Sequence, residues 1–371
     1  MTLACGPSTV LEFAIEGTSG GQGSGEGSTG DDDDDDPPPP DLPAPGTFVL
    51  NARSPGGEPI ELEIQGGVIV NLAPSLPEPP PTANQVDLGG AYILPPFIDS
   101  HVHLVPQFGE GQVSVAQSQL ARAGIIGGVD MSVALADLPQ YTGTWLGAGP
   151  MIGLGEGQFG FPDLVTPVTT PGDAIAAVDV AFEAGARVIA VNVDQDINDA
   201  TMSALVARAH EQGLPVAVRA LSPDDLSRAT AAGADILANT PFTPMNAADL
   251  DYWSTRAVIS TQAVWGAEFG AIENLRMLYE AGATVLYGSD LGLLGVGGID
   301  PLEVSVLDSI GMTAQDVIAA GTSTPAEVWG MDVGTLGMGR PATFMVVDGD
   351  PLTGLDAIFD PVAVWIDGVR I

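Results

Sequence analysis

The sequence predicts an α/β fold in which a (β/α)8 barrel of the TIM type is joined to a small β-sandwich built from both chain ends. Two observations support the barrel: short apolar, strand-like segments recur between residues 96 and 334, and Ala-rich segments with helical spacing separate several of them. A third supports the sandwich, because strand-like sequences with Gly and Pro turns occupy both 47–95 and 335–371. With 371 residues, 45% of them hydrophobic, the chain can form one large domain and a smaller companion.

The first 46 residues contain no pattern that buries a core. Residues 1–16 include the single cysteine, Cys5, in a Leu-Ala-Cys-Gly context that resembles the end of a bacterial lipoprotein signal, although only four residues precede it. Residues 17–46 combine a Gly/Ser-rich stretch, six aspartates and four prolines, which is typical of a disordered tether. We therefore expect a lipid anchor at Cys5 and a location in the bacterial cell envelope, with a cytoplasmic protein as the alternative.

The predicted sandwich takes its strands from the two ends of the folded region. Residues 47–52, 60–64 and 68–70 alternate or run apolar between turn residues, and residues 343–348 and 362–368 have the same character. The sequence therefore predicts one small β domain that the barrel interrupts.

The barrel is predicted from eight strand candidates and the helices between them. The strands are 97–101, 125–131, 151–154, 187–193, 215–220, 236–239, 258–262 and 284–288. Helical spacing is found at 172–184, 200–212, 224–232, 273–281 and 313–320. Since barrel enzymes carry their chemistry where the strands end, we expect functional side chains at these C-terminal positions.

The charge of the chain excludes several classes of partner. The formal net charge is -38, and all ten basic residues are arginines. Such an acidic surface repels nucleic acid and anionic lipid headgroups. No apolar run is long enough to span a membrane. We expect a small-molecule substrate or ligand, and the sequence predicts no oligomeric state.

Two histidines supply the main chemical signal. His101 and His103 alternate on a predicted strand, so both side chains face the same side and can bind one metal ion. The third histidine, His210, lies on a predicted helix before a strand, and we expect it to be structural. The sequence lacks a Gly-x-Ser-x-Gly elbow, and Cys5 lies in the leader, so serine or cysteine nucleophiles have no support. The glycines from Gly292 to Gly298 lack the spacing of a phosphate-binding loop and predict a loop over the barrel mouth.

The strand with two histidines resembles the first metal-binding strand of the amidohydrolase superfamily, and of its imidazolonepropionase-like and prolidase-like members in particular. Segments in the order of that superfamily also resemble its later elements, namely 207–218, 231–238, 287–290, 321–326 and 348–352. The resemblance covers roughly residues 47–371. It implies a barrel with a split sandwich and a metal-dependent hydrolase of carbon–nitrogen bonds other than peptide bonds.

The resemblance also implies which metal-site groups remain. The two first-strand histidines correspond to His101 and His103, and the eighth-strand aspartate corresponds to Asp290. Two imidazoles and one carboxylate are a ligand set of catalytic zinc, with a fourth position left for water. We therefore expect one zinc ion at most, with Asp290 as ligand or as base.

Three positions of the family site are occupied by other residues. The lysine or glutamate that bridges two metals corresponds to Ala190, the fifth-strand histidine to Arg219, and the sixth-strand histidine to Asn239. The chain has no lysine, so a carbamylated lysine is excluded. Asn239 is expected to be a capping or turn residue rather than a ligand.

These substitutions leave two interpretations of function. In the first, the protein is a hydrolase with one zinc ion, and Arg219 anchors an oxyanion or a carboxylate. In the second, Arg219 pairs with Asp290 and replaces the metal charge, the histidines are packed remnants, and the protein is an inactive, envelope-tethered binding protein.

Overall fold

The computed structural model describes residues 46–153, 160–193, 197–292 and 297–371. The predicted leader, Cys5 and nearly all of the tether lie outside these described residues, as does the middle of the predicted loop at 292–298. In the described part of the chain, no helix is both long and apolar enough to cross a membrane.

The described elements alternate between strands and helices through the middle of the chain. The strands are β1 Thr47–Arg53, β2 Pro59–Gln65, β3 Val68–Ala73, β4 Asn84–Asp87, β5 Tyr92–Leu94, β6 Phe97–Val102, β7 Ile125–Asp130, β8 Trp145–Gly147, β9 Met151–Ile152, β10 Val165–Thr166, β11 Ile189–Asn192, β12 Val216–Arg219, β13 Ile236–Leu237, β14 Ala257–Ile259, β15 Thr284–Leu286, β16 Phe344–Val347, β17 Ala363–Ile366 and β18 Val369–Arg370. The helices are α1 Leu104–Phe108, α2 Val113–Arg122, α3 Pro171–Glu183, α4 Asp199–Glu211, α5 Pro223–Ala232, α6 Ala247–Trp253, α7 Phe269–Ala281, α8 Pro301–Ser309, α9 Ala314–Gly321 and α10 Ser323–Trp329.

Strands from both chain ends share one mixed sheet. Its order is β18-β17-β16-β5-β1-β2-β3, with β4 paired to β1, so β5 and β16 join the two ends of the chain. Alternation in β2 buries Ile60, Leu62 and Ile64. These side chains share a core with residues of the C-terminal strands, where the rings of Phe344 and Trp365 stack at 5.4 Å. The two chain ends therefore form one β unit, whose arrangement as a two-sheet sandwich stays a prediction.

Parallel strands make up the rest of the fold, as predicted. One sheet has the order β6-β7-β8 and the other the order β10-β9-β11-β12-β13-β14-β15. Every predicted strand of this region is found, although most are shorter than predicted. Side chains from eight of these strands or the residues beside them form one apolar cluster: Val129, Met131, Ala148, Met151, Val188, Ala190, Ala217, Ile236, Ala238, Ala257, Ile259 and Leu286. The strands thus present one face to a common core and the other to the helices.

The third predicted strand is preceded by a strand that was not predicted. The structure contains β9 within the predicted 151–154 and, just before it, β8 at Trp145–Gly147. Gly149 between them has a φ of 74°, and Pro150 lacks a backbone N–H. The chain therefore bends at this point, so that β8 pairs with β7 and β9 pairs with β11.

The predicted helices are confirmed, with small shifts at their ends. Thr170 caps α3 with a capping box to Asp173, and Ser222 caps α5. Helix α7 begins four residues before its predicted start at 273, at Phe269. Boundary shifts of this size are normal because a few polar side chains decide where a helix begins.

Candidate metal centre

Two chain segments meet to form the candidate site: the end of β6 and the residues that follow β15. The backbone N–H of Asp290 donates to the carbonyl oxygen of His101 at 2.9 Å, and the N–H of Ser100 donates to Tyr287 at 3.0 Å. Asp290 has a φ of 52°, which is uncommon for a residue with a side chain. This turn directs its carboxylate toward the two histidines.

A buried carboxylate fastens these segments to each other. Asp99 Oδ1 accepts hydrogen bonds from the backbone N–H of His101 at 3.1 Å and of Ser289 at 3.0 Å. The Ser289 hydroxyl donates to its second oxygen. Burial raises the pKa of Asp99 to about 7, against the opposing effect of these hydrogen bonds. Asp99 thus holds the histidine strand in register with the segment that carries Asp290.

The two histidines and Asp290 bring three donor atoms together. The Nε2 atoms of His101 and His103 lie 3.2 Å apart. Asp290 Oδ1 lies 3.5 Å from Nε2 of His101 and 3.3 Å from Nε2 of His103. Ligands about 2.0–2.1 Å from a tetrahedral zinc ion are separated by about 3.3 Å, so the three atoms have the spacing of one face of such a site. The donor set therefore fits a single divalent cation.

The protonation of His101 favours this arrangement. Its Nδ1 lies 2.7 Å from the carbonyl oxygen of Ala238, and because a carbonyl only accepts, Nδ1 carries the proton. Burial lowers the pKa of His101 to about 4, with the nearby charge of Asp290 acting in the opposite direction. At neutral pH the ring is neutral, and Nε2 presents its lone pair to the centre.

Asp290 is ionised under the same conditions. Burial raises the pKa of its carboxyl group, but His101, His103 and the amide of Asn239 together lower it further, so the net pKa lies below the usual range. The Asn239 side-chain nitrogen donates to Asp290 Oδ2 at 3.0 Å. Asp290 therefore offers one oxygen to the histidines while the other is held by Asn239.

Asp130, at the end of β7, is a site residue that sequence reasoning missed. Its Oδ1 lies 4.0 Å from His103 Nδ1, and its Oδ2 accepts from the Tyr141 hydroxyl at 2.6 Å. The N–H groups of Leu104 and Ser132 also donate to this carboxylate, at 3.1 Å each. A carboxylate at the C-terminal end of a barrel-type strand is a recognisable signal, which the sequence Gly-Gly-Val-Asp contains.

The structure places Arg219 at the same end of the sheet. It ends β12 beside Asn192 of β11, and it is partly exposed. Burial lowers the pKa of its guanidinium, whereas the charge of Asp290 raises it, and Arg219 in turn lowers the pKa of His101. Arg219 and Asp290 therefore lie close enough for their charges to interact.

The remaining predicted positions lie farther from the three donor atoms. Ala190 is buried in the apolar core inside the parallel strands. His210 lies on α4, where its Nε2 is 2.8 Å from Asp235 Oδ2, and its side chain is 44% exposed. The structure thus brings together His101, His103, Asp290, Arg219 and Asn239, and separates His210 from them.

Glycines make room for both histidines. A Cβ at Gly288 would lie 2.3 Å from Ile259 Cγ2 and 3.2 Å from His101 Cβ. At Gly292 a Cβ would lie 2.6 Å from His103 Cβ. Any larger residue would displace the imidazoles, so the close packing of this segment fixes where the ligand atoms meet.

Comparison with known proteins supports the family resemblance that the sequence motifs indicate. The model of the amidohydrolase family matches residues 270–371. No curated protein matches the chain. Among solved structures, a prolidase from Bifidobacterium longum superimposes with a TM-score of 0.76 at 21% identity, covering 89% of this chain and 95% of the other.

Two further structures share this fold. A Xaa-Pro dipeptidase with bound methionine gives a TM-score of 0.73 at 17% identity, covering 88% of this chain and 99% of the other. A molinate hydrolase gives 0.70 at 16% identity, covering 89% and 96%. Together with the family model, these similarities confirm the resemblance of this chain to the amidohydrolase superfamily.

Proposed function

We propose that this protein is a hydrolase of carbon–nitrogen bonds other than peptide bonds and uses one divalent metal ion, which we expect to be zinc. The observation that carries the proposal is the spacing of 3.2–3.5 Å among Nε2 of His101, Nε2 of His103 and Oδ1 of Asp290. Buried lone pairs at such short range repel one another unless a proton or a cation lies between them. A cation satisfies all three at once.

The proposed roles follow from these contacts. His101 and His103 would hold the metal ion with Asp290 as the third ligand, and the Asp290 carboxylate would also accept a proton from a water molecule at the site. Bound zinc lowers the pKa of coordinated water to about 7, which supplies hydroxide at neutral pH. Arg219 binds the oxyanion or a carboxylate of the substrate, since its planar group donates several hydrogen bonds to one anion.

We also propose that the parallel strands close into a (β/α)8 barrel spanning residues 96–334, with residues 47–95 and 335–371 forming the sandwich. Hydrogen bonds at both sheet edges support closure. Ser100 N–H donates to Tyr287 on one side, and Arg187 N–H donates to Gly147 at 3.0 Å on the other. The site then lies at the C-terminal ends of the strands, as expected for such a barrel.

The metal content of the purified protein tests the proposal. We expect about one zinc equivalent per chain in the wild type, as three protein ligands hold one ion. His101→Ala should reduce bound metal to background, because the ligand nitrogen is lost together with the hydrogen bond to Ala238 that fixes its tautomer. His210→Ala is the matched control, since this exposed histidine contacts Asp235 and not the site. Elemental analysis after extensive dialysis measures each variant.

Several outcomes would contradict the proposal. Two metal equivalents, or equal losses in His101→Ala and His210→Ala, would exclude the assigned ligand set. A wild type without metal and without turnover would favour the binding-protein alternative, in which Arg219 replaces the metal charge. Activity assays begin with molinate, and Xaa-Pro dipeptides then test whether peptide bonds are excluded, since the names of two structural neighbours give these substrates.

We propose, in addition, that Cys5 carries a lipid and that residues 17–46 tether the protein to the cell envelope. The Leu-Ala-Cys-Gly context and the acidic, Pro-rich stretch after it support this. In a bacterial host with its natural leader, the protein should fractionate with membranes and take up labelled fatty acid. Cys5→Ser should abolish the labelling, and labelling that persists in this variant would exclude Cys5.

A further inference from the structure

We infer that Asn239 contributes its side-chain oxygen to the metal centre as a fourth protein ligand. The inference rests on the proposed function. It also reverses the expectation that this residue only caps a turn. Asn239 is fully buried, its side-chain nitrogen has two hydrogen-bond partners, and its side-chain oxygen has none among the described residues.

Asn239 is fully buried beside the three donor atoms. It follows β13 directly, and the carbonyl of the preceding residue, Ala238, is the group that accepts the Nδ1 proton of His101. Its amide nitrogen lies 3.0 Å from Asp290 Oδ2. Asn239 is therefore connected to the site twice, through the backbone of Ala238 and through its own side chain.

The amide oxygen is the atom that this packing leaves to the metal. The nitrogen donates to Asp290 Oδ2 and, at 2.9 Å, to Thr261 Oγ1, which uses both of its hydrogens. Oδ1 has no hydrogen-bond partner among the described residues. Exchanging the two atoms would place the amide oxygen against the ionised carboxylate, so these contacts fix the orientation. An unpartnered buried oxygen is unfavourable, and a bound cation offsets this cost.

The addition of Asn239 changes the chemistry of the site. Two imidazole nitrogens, one carboxylate and one amide oxygen form a set of two nitrogens and two oxygens. Carboxylate and carbonyl oxygens suit Mn²⁺, whereas imidazole suits Zn²⁺. Four protein ligands fill a tetrahedral site, so water can bind only where the ion accepts a higher coordination number. The amide oxygen should therefore support Mn²⁺ binding more than Zn²⁺ binding.

Metal titrations of purified variants test the role of Asn239. We expect Asn239→Ala to weaken Mn²⁺ binding by about 10- to 100-fold and Zn²⁺ binding by less. Thr261→Val removes a partner of Asn239 without removing a ligand, and its affinities should stay within a few fold. The visible absorption of bound Co²⁺ should change in Asn239→Ala, because water replaces a protein ligand.

The outcomes separate a ligand from a residue that only positions Asp290. Equal losses of Mn²⁺ and Zn²⁺ affinity in Asn239→Ala, with an unchanged Co²⁺ spectrum, would overturn the inference and leave the proposed function intact. A wild type that binds none of these ions would instead overturn the proposed function, and this inference with it.

Discussion

Replacing Asp99 with alanine is expected to destabilise the protein by about 3–5 kcal/mol. The N–H groups of His101 and Ser289, together with the Ser289 hydroxyl, would lose their acceptor in a fully buried position. Each buried donor left unsatisfied costs about 1–3 kcal/mol. Urea unfolding at pH 7, followed by circular dichroism, measures the loss. Metal affinity should fall in the folded fraction, because Asp99 joins the two segments that carry the ligands.

Asp99→Asn is the informative control. Its amide oxygen can accept one of the backbone N–H groups, so this variant should retain more than half of the stability that alanine loses. Burial already raises the pKa of Asp99 to about 7, so a neutral side chain in its place is not foreign to the site. An Asp99→Ala variant within 1 kcal/mol of the wild type would show that water replaces the carboxylate at little cost.

Replacing Glu303 with glutamine is expected to remove much of the decline in stability between pH 5 and pH 8. Glu303 is fully buried on α8, and its Oε2 accepts from the N–H of Ala263 at 2.8 Å. Burial raises the pKa of its carboxyl group from 4.5 to about 8, more than the hydrogen bond from the Ala263 N–H lowers it. Between these two values the folded protein holds a proton that the unfolded chain has released.

The sign of the effect follows from this difference. A carboxyl group whose pKa is raised in the folded protein stabilises the fold fully below the pKa of the unfolded chain, 4.5. This stabilisation is lost as the pH rises through the pKa in the folded protein, about 8. Each pH unit in this window costs about 1.4 kcal/mol, so the total is a few kcal/mol. Glutamine imitates the protonated form at every pH. Glu303→Gln should therefore match the wild type at pH 5 and exceed its free energy of unfolding at pH 8.

The exposed Glu327, on α10, provides the control. Glu327→Gln should leave the dependence of stability on pH unchanged. Chemical unfolding at pH 5, 6, 7 and 8 for the three proteins gives the comparison. Parallel pH profiles of the wild type and Glu303→Gln would show that Glu303 ionises as readily in the folded protein as in the unfolded chain.

The sequence was sufficient to predict the strands and helices of the parallel region because their signals are local. Apolar runs such as 125–131 and amphipathic spacing such as 200–212 report burial directly. The separate strand β8 was not predictable from these runs. The bend at Gly149 and Pro150 ends the pairing of β8 with β7, and after the bend β9 pairs with β11.

The sequence pointed to side chains at strand ends but could not reveal the contacts between strands. His101, His103 and Asp290 were identified from their own segments. The contact between Asp99 and Ser289 joins residues 190 positions apart, and no local pattern reveals it. The hydrogen bonds of Asn239 to Thr261 and Asp290 were not predictable for the same reason, since they exist only in the folded chain.

The pairing of β5 with β16 has a consequence for how the protein folds. These strands are joined through residues such as Leu94 and Met345, about 250 positions apart, so the average contact spans a long stretch of chain. During synthesis, β5 leaves the ribosome long before its partner exists. Its open edge then remains available to other chains until β16 has been synthesised. Slow refolding is the expected cost of closing this sheet with a strand so distant along the chain.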